Sequence, residues 1–149
     1  MNSNKKYELT NETMIIDNGV ILHRIKALRT IRLEDGFAVK RGELGGWVES
    51  ESNLSQDGEA WICDDARVYG RARVYEDAQV FGNAVVHGNA EVHGYSEVYG
   101  HSQVFDRASV YGEALVEGNA VIHGNAVVKG SAWVHGSADV RGEWKPFSF

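Results

Sequence analysis

Residues 66–142 read, in units of six, ARVYGR ARVYED AQVFGN AVVHGN AEVHGY SEVYGH SQVFDR ASVYGE ALVEGN AVIHGN AVVKGS AWVHGS ADVRG. The third position of each unit is valine, or isoleucine at Ile122. The first position is alanine or serine, and the fifth is glycine except at Glu76 and Asp106. A strict period of six residues is the sequence signature of a β-helix.

The spacing within each unit explains why six residues make a stackable corner. The first and third positions are two residues apart, so in extended chain both side chains point to the same side. The fifth and sixth positions, often Gly-Asn, have turn chemistry that tolerates positive φ. Coils stacked at ~4.8 Å would share one continuous interior. With three units to a coil, the sequence predicts an all-β, single-stranded parallel β-helix with valine inside.

An aliphatic residue followed four places later by a small one recurs throughout, as in Val68 with Ala72 and Val74 with Ala78. This pattern resembles the hexapeptide-repeat class. The resemblance implies a left-handed coil, which the general preference of parallel crossovers would not predict.

The region before the repeats follows a different pattern. Residues 14–22 consist of two apolar runs that flank Asn18-Gly19, a strong hairpin signal. Residues 22–28 could form a strand or a helix, and we favour a strand. Phe37-Ala38-Val39 predicts another short strand.

The chain therefore divides into three parts: an N-terminal β-hairpin and capping region at 1–50, a hexapeptide-repeat β-helix at 51–142, and a C-terminal aromatic cap at 143–149. Trp144, Phe147 and Phe149 supply the aromatic side chains of the last part. An open coil end exposes unpaired backbone and an apolar interior, so both ends need a cover.

The N-terminal half carries a second resemblance. Residues 22–28, Gly42–Ser50 and Asn53-Leu54-Ser55 resemble the opening of small hexapeptide-repeat proteins of phages and prophages, described as YdcK-like or polymer-forming. The resemblance implies a phage or prophage origin and the same fold, and it implies no defined activity.

Charge and composition narrow the range of partners. The net charge is −6, and residues 51–149 hold 7 basic and 14 acidic side chains. An acidic coil is a poor partner for non-specific nucleic-acid binding. One cysteine, Cys63, excludes an internal disulfide. No apolar run reaches membrane length, so we expect no membrane association and a location in the cytoplasm, that of the host cell if the protein is phage-encoded.

The residue after each aliphatic position points outward, and eighteen residues per coil sort these residues into three columns. The first column holds Tyr69, His87, Phe105, His123 and Arg141, the second begins with Tyr75, His93 and Tyr111, and the third holds Phe81, Tyr99, Glu117 and His135. We predict that the named residues of the first two columns bind a ligand or partner. The alternative is that the rings stack as ladders that stabilise each face.

Apolar side chains at the outward position between alanine and valine indicate a buried contact. They are Val85, Leu115, Val121, Val127 and Trp133, with His135 beside the last. Hexapeptide coils commonly associate through such faces, so we predict a homo-oligomer, a trimer ahead of a dimer.

An enzyme is the first functional alternative, because many hexapeptide coils are acyltransferases and a histidine could act as general base. Residues 66–142 contain no inserted loop that would shape a substrate pocket. His87 and His123 lie two coils apart, ~9–10 Å, too far to share a metal within one chain. We expect no metal, no cofactor and no catalytic residue.

We therefore hypothesise a non-catalytic phage or prophage accessory protein that acts as a binding module and counters host defence. Its target would be a host protein, or a nucleotide-like signal held by stacking on tyrosine or phenylalanine. A structural or scaffold protein is the remaining alternative.

The register itself is testable. Val104→Asp places an unpaired charge inside the coil and should abolish soluble expression. Gln103→Asp, on the outward position of the same strand, is the control and should express normally. A soluble, folded Val104→Asp variant would show that the predicted register is wrong.

Overall fold

A computed structural model describes residues 5–33 and 36–142. Short strands connected by turns make up most of these residues. The strands are β1 (Tyr7–Ile15), β2 (Ile21–Ala27), β3 (Ile31–Arg32), β4 (Ala38–Val39), β5 (Leu44–Val48), β6 (Trp61–Ile62), β7 (Arg67–Val68), β8 (Arg73–Val74), β9 (Gln79–Val80), β10 (Val85–Val86), β11 (Glu91–Val92), β12 (Glu97–Val98), β13 (Gln103–Val104), β14 (Ser109–Val110), β15 (Leu115–Val116), β16 (Val121–Ile122), β17 (Val127–Val128), β18 (Trp133–Val134) and β19 (Asp139–Val140). Two 3₁₀ turns, Asp17–Gly19 and Glu51–Asn53, interrupt them.

The hexads stack as parallel coils of eighteen residues, as the sequence predicts. Val68 pairs with Val86 and Val86 with Val104, each in parallel register. Three sheets result, and we name them the first face (β5, β7, β10, β13, β16, β19), the second face (β8, β11, β14, β17) and the third face (β6, β9, β12, β15, β18). The parallel β-helix fold is confirmed, while its left-handedness stays a prediction.

The interior is built from the two inward positions of each hexad. Every third-position side chain from Val68 to Val134 is fully buried, and most of the alanines between them are too. Burial of a valine side chain stabilises the fold by about 1.5–3 kcal/mol, so the column forms the core. Ser96 and Ser102 take two alanine positions, and their hydroxyls donate to the carbonyls of His93 and Tyr99 at 2.8 Å. A buried hydroxyl is tolerated there because a carbonyl is within reach.

Each corner requires a left-handed backbone at the fifth position of the hexad. The glycines there have φ between 64° and 74°, and Glu76 (63°) and Asp106 (60°) adopt the same conformation. A left-handed backbone costs a side-chain-bearing residue about 1–2 kcal/mol. Here each carboxylate accepts the N–H of the glycine one coil later, Gly94 at 2.8 Å and Gly124 at 2.9 Å. These charge-assisted hydrogen bonds offset the strain.

The N-terminal segment forms the predicted hairpin, and residues 21–27 are a strand rather than a helix. β1 and β2 pair antiparallel, with Ile15 opposite Ile21 and with Asn18 and Gly19 at positive φ. β2 then pairs with β5, and β5 pairs parallel with β7. The hairpin therefore extends the sheet of the first face instead of only folding across the coil end.

Two consecutive side chains, Lys6 just before β1 and Tyr7 at its start, close the open end of the first coil. Lys6 is fully buried, and its Nζ donates to the carbonyls of Ala60 (2.6 Å) and Gly58 (3.4 Å). The hydroxyl of Tyr7 donates to the Leu54 carbonyl, and its ring meets Trp61 edge to face at 6.4 Å. Backbone carbonyls that would otherwise end the stack unpaired are thereby satisfied.

The chain passes close to the coil at Gly45 and Gly46. A Cβ at Gly45 would lie 2.6 Å from the Ile62 carbonyl oxygen and 2.6 Å from Cζ2 of Trp61. A Cβ at Gly46 would lie 2.8 Å from the Ala66 carbonyl oxygen. Only glycine allows β5 to come this close to the first coil.

The predicted C-terminal cap of Trp144, Phe147 and Phe149 lies outside the described residues. Among the residues that are described, none of the helices has the length and apolar character needed to cross a bilayer.

Lys6→Met tests the closure of the coil end. Burial, followed by the nearby Arg29 guanidinium, lowers the pKa of Lys6 to about 8. The unfolded chain therefore binds more protons above that pH, and the free energy of unfolding of the parent should rise from pH 8 toward pH 9.5. Lys6→Met should lower the free energy of unfolding by about 1–3 kcal/mol, because several carbonyls lose their donor. The variant should also lack the rise between pH 8 and pH 9.5, because it lacks the titrating group. Chemical denaturation across this pH range measures both effects.

Lys5→Met is the matched control, because Lys5 is exposed and only pairs with Glu51 at 3.0 Å. It should change stability by less than about 0.5 kcal/mol. Equal losses in the two variants would contradict a specific role for Lys6.

Candidate functional site

The outward rings of the first column stack along the first face. Tyr69, His87, Phe105 and His123 form a continuous series whose centroids are 5.0, 5.1 and 5.2 Å apart. All four are partly buried, and Arg141 follows them as an exposed residue. Because each ring covers the face of the next, a planar ligand has no room between neighbours and could stack only at a ladder end.

His87 is enclosed by this arrangement. Tyr69 and Phe105 cover its two ring faces, with interplanar angles of 12° and 15°. Burial lowers the pKa of His87, and the Asp106 carboxylate opposes this effect only in part. The imidazole is therefore neutral at pH 7, and it acts as one step of an aromatic ladder.

A second ladder lies on the second face. Tyr75, His93 and Tyr111 stack with centroid distances of 4.5 and 4.9 Å, and the Arg73 guanidinium lies 4.8 Å from the Tyr75 ring centroid. The Tyr75 hydroxyl donates to Glu91 at 3.0 Å. Burial and this carboxylate raise the pKa of Tyr75 to about 12.

Two carboxylates at coil corners, Glu76 and Asp106, and one on β19, Asp139, pair with the ladder histidines. Nδ1 of His93 lies 3.2 Å from Glu76. His123 lies between two aspartates, with Nε2 at 2.6 Å from Asp139 and Nδ1 at 3.8 Å from Asp106. These histidine edges therefore meet partners within the coil.

The structure distributes the residues predicted for an oligomer interface over all three faces. Val85 and Val121 lie on the first face on either side of Gln103, and Val127 lies on the second. Leu115 and Trp133 are paired on the third face. His135 stacks on Trp133 at 4.2 Å, and Glu117 accepts the Trp133 indole N–H. Their role in self-association stays a prediction.

The sequence reasoning missed a cleft on the third face. It has a volume of about 310 Å³ and lies where the segment around β3 and β4 meets the coil. Apolar side chains form most of its lining, namely Leu33, Phe37, Trp61, Cys63, Val80 and Phe81. Polar groups come from Asp64, Gln79 and Glu97. Phe37 is 71% exposed, whereas Trp61 is 1% exposed and forms part of the buried core.

The cleft continues along the third face. One neighbouring hollow shares Leu33 and Gln79 with it and adds Tyr95. Another shares Glu97 and reaches Leu115. Tyr95 and Trp133 are 55% and 54% exposed, which is unusual for large hydrophobic side chains. Together with Phe37 they mark one long, partly apolar surface.

Charge is segregated between the faces. Within the described residues, the acidic and basic side chains at the coil positions of the third face and its two corners are all carboxylates, with no lysine or arginine among them. They are Glu59, Asp64, Asp65, Glu76, Asp77, Glu97, Glu113 and Glu117. The second face and its corner with the first carry Arg71, Arg73, Arg107 and Lys129 against Glu91 and Asp106. From the N-terminal segment, Arg29 pairs with Glu59 (3.4 Å) and Arg24 reaches Asp65 (3.8 Å).

The cleft holds the single cysteine of the chain, Cys63. Burial and the neighbouring Asp64 raise the pKa of Cys63, so its thiol stays protonated and forms an apolar wall. Within the described residues, three or more histidine, cysteine or acidic side chains are nowhere grouped so as to hold a metal ion. A sequence signal for this site existed in Tyr95, which occupies a corner position that is mostly polar elsewhere.

A histidine titration tests the first ladder. The pKa of His87 should lie below the ordinary value of 6.5, because Tyr69 and Phe105 exclude water from its ring. Phe105→Ala should raise it, and Phe81→Ala, on the third face, should leave it unchanged. Proton-detected NMR titration of the histidines measures this. A pKa of His87 that does not move in Phe105→Ala would contradict the stacking.

No curated protein matches the chain. A family model described as YdcK Beta solenoid repeat matches residues 78–94, which contain β9, β10 and β11. The match and the stacked parallel coils together identify a β-solenoid repeat protein that is similar, over these residues, to the YdcK repeat.

Proposed function

We propose that this chain is a non-catalytic phage or prophage accessory protein that acts as a binding module in the cytoplasm of its host. It binds a host protein through the third face and thereby counters host defence. The single observation that carries the proposal is the apolar cleft with exposed Phe37 at its rim and exposed Tyr95 in the neighbouring hollow. Concave, mostly apolar surfaces with a few polar groups are the usual form of a binding site.

The position of this surface also supports a partner of macromolecular size. From Phe37 through Tyr95 to Trp133 the exposed aromatic side chains follow the strands of the third face, over several coils. Exposed aromatic residues grouped in this way are typical of protein interfaces. A cleft of about 310 Å³ would hold one anchoring side chain of such a partner.

The histidines support a scaffold role over a catalytic one. His87 and His93 each stack between two rings, and His93 also contacts Glu76 at 3.2 Å. A general base must reach the proton that it removes, and rings held in a ladder expose only an edge. In this proposal the ladders of the first and second faces stiffen the coil that presents the third face.

Site-specific photo-crosslinking in the host tests the proposal. A photoreactive phenylalanine analogue is placed at Phe37, Tyr95 or Trp133, and at Asn89 or Asn125 as controls, because these two exposed asparagines lie at the corner between the first and second faces. The proposal expects one host protein to be crosslinked from the third-face positions and not from the controls. Mass spectrometry of the crosslinked species identifies the partner.

Three results would contradict the proposal. Crosslinks from the control positions as strong as those from the third face would show that the third face is not a specific binding surface. Crosslinks only to a second copy of the chain would assign the third face to self-association. Turnover of acetyl-coenzyme A with an amine acceptor that is lost in His87→Ala would favour an acyltransferase.

A further inference from the structure

The chemistry of the third-face cleft indicates which kind of side chain it accepts. Trp61 and Phe81 provide aromatic walls and Leu33 an aliphatic one, while Asp64 and Glu97 provide carboxylates. A side chain with a long apolar stem and a cationic head satisfies both parts, because its stem contacts the walls while its head meets the carboxylates. A neutral apolar side chain would contact only the walls.

The surroundings of the cleft favour the same charge. The charged coil positions around the cleft are carboxylates, and Glu113 lies beside the hollow that reaches Leu115, while the N-terminal segment contributes Arg32 to the other neighbouring hollow. A predominantly acidic surface attracts a basic partner and repels an acidic one. The basic residues of the second face lie on another side of the coil.

The chain itself shows how a guanidinium is held on such a surface. Arg24 lies 4.6 Å from the Trp47 ring centroid and 3.8 Å from the Asp65 carboxylate. Arg73 lies 4.8 Å from the Tyr75 ring centroid and 3.8 Å from Glu91. Arginine makes both contacts at once because its guanidinium is planar and carries several donors, whereas a lysine ammonium is a compact point charge.

We infer that the partner is a protein with a basic, apolar segment, and that an arginine of this segment enters the cleft between Trp61, Phe81 and Leu33 with its guanidinium at Asp64 and Glu97. The inference rests on the proposed function and adds the chemistry of the partner. Apolar residues next to this arginine contact Phe37 at the rim and Tyr95 in the neighbouring hollow.

The test uses a labelled ten-residue peptide in which arginine and leucine alternate, and measures its affinity by fluorescence anisotropy. Peptides with citrulline, lysine or glutamate in place of arginine are compared with it. The arginine peptide should bind at least about tenfold more tightly than the citrulline peptide, which has the same shape without the charge. The lysine peptide should be intermediate, and the glutamate peptide should not bind.

Matched double variants locate the binding. Asp64→Asn with Glu97→Gln removes the two carboxylates of the cleft, and Asp106→Asn with Glu91→Gln removes the same charge from the same two hexad positions on other faces. Asp64 and Asp106 both have positive φ and both accept a glycine N–H one coil later, at 3.1 and 2.9 Å. The first double variant should weaken binding at least about tenfold, and the second should change it less than about twofold.

Phe37→Ala is a second variant, and it should fold normally because Phe37 is 71% exposed. It should also weaken binding of the arginine peptide. Equal losses in both double variants would overturn the inference, because attraction would then depend on net charge alone. Equal affinity for arginine and citrulline peptides would overturn it as well. Absence of arginine-peptide binding, together with host crosslinks from Phe37 or Tyr95, would overturn only the basic segment and leave the proposed function in place.

Discussion

Every part of this structure depends on the parallel stacking of coils that are eighteen residues long. A backbone N–H of one coil donates to a carbonyl of the next, as Arg67 does to Ala84 and Tyr69 does to Val86, both at 3.0 Å. Parallel pairing in register places each side chain above its equivalent in the next coil. Any property of a hexad position is therefore repeated along a column, inside or outside.

Stacking of equivalent residues in register has different consequences for the interior and for the surface. Inside, repetition is favourable, because valine on valine gives a dry column without polar groups. Outside, a column of like charges in close register would be destabilised, and rings instead stabilise it by stacking. His87 and His93 fit among tyrosine and phenylalanine because a neutral imidazole is also a flat ring. Corner acids such as Glu76 and Asp106 fit because they reach the glycine N–H of the next coil.

The N-terminal segment closes the end of the stack at the first coil. At the first coil, β5 pairs with β7, and Lys6 and Tyr7 cover carbonyls that no further coil can satisfy. The same segment brings Leu33 and Phe37 against the third face. The segment that closes the coil therefore also forms one wall of the cleft. The cleft lies where the regular repeat meets a segment without the repeat.

The third face differs from the other two in that it leaves large aromatic side chains exposed. Phe81 stacks on Tyr99 at 4.7 Å, but the column then continues with Glu117 instead of another ring. Tyr95 and Trp133 remain about half exposed, and the charged coil positions around them are acidic. A surface needed only for stability would not require large exposed aromatic side chains, and this contrast distinguishes the proposed binding face from the other two faces.

The sequence by itself determined the coil, the three columns and the N-terminal hairpin. Each of these follows from local rules: a period of six, an eighteen-residue turn, and Asn18-Gly19 between two apolar runs. Only the tertiary structure decided the cleft and the closure of the coil end. Leu33 and Phe81 line the same cleft, and Lys6 donates to the Ala60 carbonyl, although each pair is separated by about fifty residues of chain. The segment that supplies Leu33 and Lys6 has no repeat from which its position could be deduced. A periodic pattern fixes the neighbours of every residue within it, whereas a non-repeating segment finds its place only through the packing of specific side chains.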